Sequence, residues 1–413
     1  MNPAWRRSCR FCGFSEPRPD RIVYGCPSCG KNLEVVFDLT KPLARRVRAR
    51  RGCGLDRWRD VLPLRADTPS IPLLIGDTPL YDSAALAKDT GFRRVMVKDD
   101  GRLPSASFKD RASSVAILRA LNLNRRRVVA ASTGNAAASL ACLSAAVGVR
   151  TLIFVPAAAP EAKIAQLLVF GATVFAVDGT YDDAFDLSVK ATETFGLYNR
   201  NTGLNPFTRE GKKICAYEIA EQMGWNVPEY VIVATGDGNI ISGVAKGFFE
   251  LKTLGLTRRV PRMIAAQSTR SNAIARALKT GRLRPVRATT VADSISVDLP
   301  RDGDLAVDYI RRSDGFAVEV TDAEILAAIP YLARKAGVFA EPAAACAAAA
   351  LRRAARDRCI PRTASVLCLV SGNGLKDVKS AKTSIEKLSR PVPVNRKSAL
   401  KHVEIFLKTG KTP

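Results

Sequence analysis

Histidine is nearly missing from this 413-residue chain: His402, close to the C-terminus, is the single one. That argues against Ser-His-Asp and Cys-His catalysis and against a His-ligated catalytic metal. Any chemistry then falls to Lys, Ser, Asp, Glu or a bound cofactor. Long apolar runs are missing too: none reaches the roughly 18 residues that a membrane span needs, and the alanine-rich stretch Glu341 to Leu351 is too short. The start, Met1-Asn2-Pro3-Ala4-Trp5-Arg6-Arg7, lacks the apolar segment of a signal peptide, so a cytoplasmic protein is expected. Acidic residues are in deficit, 39 against 64 Lys and Arg, for a formal charge of +25. The excess is spread along the chain, with denser patches at Arg45 to Arg51 and Arg125 to Arg127. A nucleic-acid-binding or scaffold protein is one reading, but these patches lack interleaved aromatics and a recognised binding module. No nucleic-acid or membrane partner is expected, whereas a basic field would attract anionic substrates and an anionic cofactor. A disulfide framework is also missing: Cys53, Cys142, Cys215, Cys346, Cys359 and Cys368 are scattered, several in apolar runs, as in a reducing compartment.

What is present suggests two domains or more, since the chain is too long for one ordinary core. Residues 1–36 read as a small separate unit. Cys9-Arg10-Phe11-Cys12-Gly13 and Cys26-Pro27-Ser28-Cys29-Gly30 are two CxxCG knuckles. Four thiolates can surround one zinc ion tetrahedrally, and Gly after each second Cys permits the turn around sulfur. A zinc-ribbon-like unit with structural zinc on Cys9, Cys12, Cys26 and Cys29 is expected. The alternative, four unliganded thiols, would leave so short a unit with almost no core. Residues 37–70, basic and irregular, read as a linker with a short helix. From about 71 onward, apolar β-like runs alternate with helical ones. Strands are expected at Arg127 to Ser132, Thr151 to Val155, Ala172 to Val177, Tyr230 to Ala234, Met263 to Gln267, Ala317 to Val320 and Ser365 to Val370. Helices are expected at Gly134 to Ala146, Pro160 to Phe170 and about Asp182 to Phe195. This alternation predicts an α/β fold with parallel-rich open sheets. The tail 386–413 is basic and weakly patterned and is expected to be a mobile or loosely docked end.

Three Gly-containing turns follow strands and open helices, where α/β folds hold ligands. Ala131-Ser132-Thr133-Gly134-Asn135 offers backbone N–H groups and hydroxyls to a carboxylate or phosphate. Thr235-Gly236-Asp237-Gly238-Asn239 has glycines that let the backbone wrap a phosphate; it is neither a Walker loop nor the dinucleotide fingerprint. Leu369-Val370-Ser371-Gly372-Asn373-Gly374-Leu375-Lys376-Asp377 is the third. Each alone reads as an ordinary turn, and Lys109, in Ser105-Ala106-Ser107-Phe108-Lys109-Asp110-Arg111, alone reads as a solvated lysine at a helix start. Together they meet the needs of pyridoxal phosphate (PLP): a lysine for the imine, a phosphate cradle, a partner for the pyridine nitrogen and donors for a substrate carboxylate.

These residues also carry a resemblance. From about 71 to 380 the chain resembles threonine synthase and its relatives among the fold-type II PLP enzymes, the tryptophan-synthase β-like group. The matching segments run in the family's order: Gly76-Asp77-Thr78-Pro79-Leu80, Ser107-Phe108-Lys109-Asp110-Arg111, Ser132-Thr133-Gly134-Asn135, Ala162-Lys163-Ile164-Ala165-Gln166, Asn205-Pro206, Glu210-Gly211-Lys212-Lys213, Gly337-Val338-Phe339-Ala340-Glu341-Pro342 and Ser371 to Asp377. The resemblance implies a lyase with PLP in a cleft between a large domain (71–124 plus 201–385) and a small one (125–200), in a chain that pairs as a homodimer. It implies a small amino-acid substrate, with O-phospho-L-homoserine and water converted to L-threonine and phosphate. Lys109 would form the Schiff base and move the Cα proton. Asn135 would bond the cofactor's ring oxygen, and Gly236, Asp237, Gly238 and Asn239 would cradle its phosphate. Ser371 would face the pyridine nitrogen. Ser132, Thr133 and Asn135 would hold the substrate, with Lys163, Asn205 and Thr208 as further substrate-binding positions. The family's common pattern, Asn-Pro-x-Arg-x-Glu-Gly, reads Asn205-Pro206-Phe207-Thr208-Arg209-Glu210-Gly211 here: Thr208 holds the Arg place. Arg209 is one residue late, a slip that turns a helical side chain by about 100°. The phosphate loop is one residue shorter than usual, and Asn373 stands where His is common. These departures keep a second reading open, a threonine/serine ammonia-lyase or a cysteate-synthase-like β-replacement enzyme of the same fold.

Overall fold

The alternating apolar runs become three β-sheets in the computed structural model, which describes residues 4–386, 396 and 399–409. At the N-terminus β1 (Trp5–Ser8), β2 (Ser15–Glu16) and β3 (Glu34–Phe37) form an antiparallel sheet in the order β2-β1-β3. Next in the chain come β4 (Leu80–Asp82) and β5 (Arg94–Asp99), then β6 (Arg127–Ala131), β7 (Arg150–Pro156), β8 (Thr173–Val177) and β9 (Tyr198–Asn199). The last four make a wholly parallel sheet in the order β8-β7-β6-β9. Finally β10 (Tyr230–Ala234), β11 (Arg262–Ser268), β12 (Phe316–Val320) and β13 (Ser365–Val370) join β4 and β5 in the order β12-β11-β10-β13-β5-β4. Only β4 in that sheet is antiparallel. The α/β fold with parallel-rich sheets is as expected. Every residue of β10 and β13 is buried, which is why both read as unbroken apolar runs.

Strand β5 escaped the sequence reading because it ends in Lys98 and Asp99. Both are buried. Lys98 Nζ donates to Glu218 Oε2 at 3.0 Å, to the Thr78 carbonyl at 2.7 Å and to Gln222 Oε1 at 3.0 Å. The stretch 37–70 is corrected: it is no free linker. Its helix Lys41–Ala49 and 3-10 segment Gly54–Val61 bury Leu43, Val47, Trp58 and Val61 in the main core, and Arg57 pairs with Glu221 at 2.6 Å. Its basic residues lie mostly on the outer face, which hid the apolar stripe. The tail 386–413 falls largely outside the described residues; Ala399–Thr409, which carries His402, is a helix. Among the described residues no helix is long and apolar enough to cross a membrane.

Three packed helices set the geometry of the centre. Lys109–Asn122 lies against Phe207–Gln222, which lies against Asn239–Thr253. The first pair approaches so closely that a Cβ at Gly211 would overlap the Arg111 carbonyl oxygen. Arg111, fully buried, locks the same pair: it bonds Asp100 at 2.5 Å and Glu218 at 2.7 Å.

Candidate active site

The C-terminal ends of the parallel strands open on a cleft lined among others by Lys109, Asn135, Thr202, Lys212, Asp237, Glu341 and Ser371. Lys109 begins the helix Lys109–Asn122, and the residues before it are stitched to the turn after β13. Ser107 pairs with Gly372, and the Phe108 N–H donates to the Ser371 carbonyl at 2.9 Å. Lys109 and Ser371, more than 250 residues apart in sequence, therefore share one wall. Burial pushes the Lys109 ammonium below its ordinary pKa and Arg200 pushes the same way, while Asp237 and Glu341 oppose.

The turn after β10 brings Gly236, Asp237, Gly238 and Asn239 together on the cleft. Gly238 takes φ +85° ahead of the helix Asn239–Thr253, a conformation that a side chain would strain. Among the described residues, the backbone N–H groups of 236 to 241 donate to no protein acceptor. With the helix N-terminus behind them, they form an anion cradle. Asn239 is held from two sides: its Nδ2 donates to Asp302 Oδ2 at 2.9 Å, and its Oδ1 accepts from Lys212 Nζ at 2.5 Å. Lys212 is fully buried, and its pKa lies well below the lysine value through burial and the nearby Lys109 and Arg200. Burial raises the Asp237 carboxyl, opposed by the Arg301 N–H and by Lys109.

At the end of β6, the Gly134 N–H donates to Ser132 Oγ at 3.2 Å, and Thr133 is partly exposed beside it. Asn135 is buried and gives its Nδ2 to both Glu341 oxygens, at 2.9 and 3.1 Å. Burial raises the pKa of Glu341, which precedes the helix Pro342–Arg356. Ser132 and Thr133 are not among the residues that line the cleft, and the remaining expected positions lie outside the lining as well. Asn205 is buried, bonding the Asn199 carbonyl at 2.7 Å and accepting from the Phe207 N–H at 2.9 Å. Thr208, also buried, bonds the Asn205 carbonyl at 2.8 Å and Asn239 at 3.3 Å. Lys163 pairs with Asp293 at 2.6 Å, next to Ser294 and Ile295 of the cleft wall. Arg209 points elsewhere: it pairs with Asp302 and donates to the Leu33 carbonyl of the N-terminal unit at 3.1 Å.

That unit gathers its four cysteines. The ligand atoms of Cys9, Cys12, Cys26 and Cys29 all lie within 4.8 Å of one another, with Cys9–Cys29 at 3.5 Å and Cys12–Cys26 at 3.4 Å. A tetrahedron with arms of about 2.3 Å asks for edges of nearly this length. The knuckles are alike: Gly13 and Gly30 take φ +76° and +70°. Their N–H groups return to the Cys9 and Cys26 carbonyls. The unit also touches the residue that holds Asn239, since Asn32 Nδ2 donates to Asp302 Oδ1 at 2.8 Å.

Sequence reasoning assigned no role to Lys212, Glu341, Asp302, Arg200 or Thr202. Lys212 and Glu341 stood inside quoted motifs, and that was their only signal.

The family described as "Pyridoxal-phosphate dependent enzyme" matches residues 71–372. Threonine synthase of Methanocaldococcus jannaschii is 35% identical over 370 residues, covering 88% of this chain and 91% of that protein. Threonine synthase of Methanosarcina acetivorans is 34% identical over 391 residues, covering 94% and 95%. Among solved structures, maize serine racemase aligns with a TM-score of 0.64 at 22% identity, covering 75% of this chain and 92% of that one, which speaks to the fold.

Proposed function

Because the chain belongs to the pyridoxal-phosphate dependent enzymes, we propose that it is a threonine synthase, converting O-phospho-L-homoserine and water to L-threonine and phosphate. The observation that carries this reading is the identity of 34–35% to proteins of that name along 88–94% of the chain.

The residues present fit the cofactor: an amine of lowered pKa, unpaired N–H donors at a helix N-terminus and a serine opposite all face one cleft. Bound PLP supplies an electron sink for the carbanion formed at Cα. The side chains do the rest. Lys109 forms the link to the cofactor and afterwards carries the Cα proton on Nζ; its lowered pKa favours the neutral amine that accepts it. Gly236, Asp237, Gly238 and Asn239 hold the cofactor phosphate, with Lys212 fixing Asn239 from behind. Ser371 meets the pyridine nitrogen with a neutral hydroxyl. Asn135, oriented by Glu341, meets the ring oxygen. Ser132 and Thr133 take the substrate carboxylate at the N-terminus of the helix Asn135–Ala146. Asn205 and Thr208 act at one remove, setting the helix start and Asn239; Lys163 pairs with Asp293 beside Ser294 and Ile295 of the cleft wall.

Zinc on Cys9, Cys12, Cys26 and Cys29 belongs to the same proposal, supported by the near-tetrahedral sulfur spacing, and its role is structural. So do a homodimer and a cytoplasmic location, supported by the family resemblance and by the six cysteines outside that cluster, which form no disulfide.

Thr208 in the Arg place favours the second reading, an ammonia-lyase. The two readings separate on offering the PLP-loaded protein O-phospho-L-homoserine, L-threonine and L-serine in turn, with phosphate and ammonia assayed. Phosphate release from the first, accompanied by threonine, is expected. Ammonia from threonine or serine, with no phosphate from the first, would overturn the assignment.

A further inference from the structure

Arg200 follows β9 and is fully buried. Its main chain continues the pairing with β6, the N–H donating to the Val129 carbonyl at 2.9 Å. Its guanidinium gives Nε to Ser113 Oγ at 3.1 Å, one helical turn beyond Lys109, and Nη1 to Thr202 Oγ1 at 2.8 Å. Nη2 is buried without a partner, and among the described residues no carboxylate lies within ion-pair distance of Arg200. Burial pulls its pKa down to about 10, with Tyr181 and Asp110 opposing. Arg7 and Arg119 are also buried with an unpartnered Nε, but they sit under the N-terminal unit and donate to the Arg18, Arg21 and Pro19 carbonyls. Arg200, by contrast, is tied to a residue that lines the cleft, Thr202.

This bond fixes the direction of a hydroxyl. Thr202 Oγ1 accepts from Arg200, so its own O–H is free to donate into the cleft. A hydroxyl polarised by a guanidinium is a strengthened donor, suited to an anion. The place is apt. The ends of β6 and β9 are neighbours about 4.8 Å apart. The first leads to Ser132 and Thr133, the second to Arg200 and Thr202. A short amino acid whose carboxylate sits on the β6 side would present an anionic far end to the β9 side.

We propose that Arg200 and Thr202 form the subsite for the substrate's phosphate group, with Thr202 touching the anion and Arg200 acting through it as a positioning residue. The inference rests on the threonine synthase reading and names how this chain recognises a phosphate without an arginine at 208. Thr208 is buried and occupied with Asn205 and Asn239, and Arg209 with Asp302, so neither supplies that charge.

The test uses the PLP-loaded protein, whose own phosphate cradle is filled, and inorganic phosphate as the probe in isothermal titration. Arg200→Gln and Thr202→Val should each weaken phosphate binding about tenfold or more, as expected for a charge-assisted bond. The KM for O-phospho-L-homoserine should rise by about the same factor, with kcat falling less. Thr202→Ser, which keeps the hydroxyl, should stay within about threefold of wild type. At a pH well above the midpoint of cofactor capture, affinity for unphosphorylated L-threonine and the visible cofactor band should be unchanged in all three. Unaltered phosphate affinity in both Arg200→Gln and Thr202→Val, or an equal loss for L-threonine, would overturn the subsite. If the wild type binds phosphate through these residues yet releases none from O-phospho-L-homoserine, the subsite stands and the threonine synthase reading falls. Phosphate release with both variants like wild type in KM and in phosphate affinity would mean the reverse.

Discussion

Two groups of buried cations lie on or against the helices Lys109–Asn122 and Phe207–Gln222 and differ in one respect. Lys98 and Arg111 face Asp100 and Glu218, with contacts of 2.5 to 3.0 Å. Lys109, Lys212 and Arg200 have no carboxylate within ion-pair distance among the described residues. Burial works against charge in both groups. In the first, Asp100 and Glu218 outweigh it and hold Arg111 well above its ordinary pKa. In the second, burial prevails and all three are pulled down. A buried charge left unpaired costs several kcal/mol, so it marks a place where a ligand supplies the counter-charge. The first group holds the helices together; in the second, Lys109 and Lys212 line the cleft and Arg200 stands behind its lining residue Thr202.

The largest way to break this contrast is Lys109→Ala. Turnover should fall about a thousandfold or more, with loss of the visible imine band, while urea unfolding stays near wild type. Retention of the band would remove Lys109 from its role. Next is Glu218→Gln in the paired group, which should cost about 3–5 kcal/mol in urea unfolding at neutral pH by stranding Lys98 and Arg111. Against burial, Arg111 and Lys98 hold the Glu218 carboxyl at about 2, below its ordinary 4.5. The stabilisation is therefore full above pH 4.5 and lost as pH falls through about 2, so the gap between wild type and variant should narrow across that window. A gap constant with pH would mean that the carboxylate charge is not what stabilises.

Smaller effects sharpen the contrast. Asn32→Ala removes the bond from the four-cysteine unit to Asp302, the residue that holds Asn239. PLP affinity should weaken about threefold to tenfold with metal content unchanged. Equal PLP affinity would make the unit a bystander to the cleft. The smallest is a pH effect of Arg200→Gln. Arg200 helps depress Lys109, so its removal should move the pH midpoint of cofactor capture upward. A downward shift would contradict the assigned electrostatics.

Much of this was legible in sequence where the physics is local. Strands β10 and β13 are buried on both faces, so their apolar runs and the Gly turns after them announced both the elements and the loops that line the cleft. The knuckles were legible because four thiolates at that spacing have few other uses. What stayed hidden depended on distant partners. Lys98 in β5 reads as a surface residue until Glu218 arrives from 120 positions away. Arg200 and Lys212 look like any of the 64 basic residues in a chain of +25. Only the fold shows that they are buried beside one another without carboxylates. Thr208 in the place of an arginine was legible as a departure, but its consequence could be argued only once Arg200 and Thr202 were seen together.

Lys109 and Lys212 are both depressed lysines on the same cleft, and only one can carry the cofactor. Borohydride reduction of the PLP-loaded protein, followed by peptide mass analysis, decides between them. The account predicts a single labelled peptide with the adduct on Lys109. An adduct on Lys212 would contradict it.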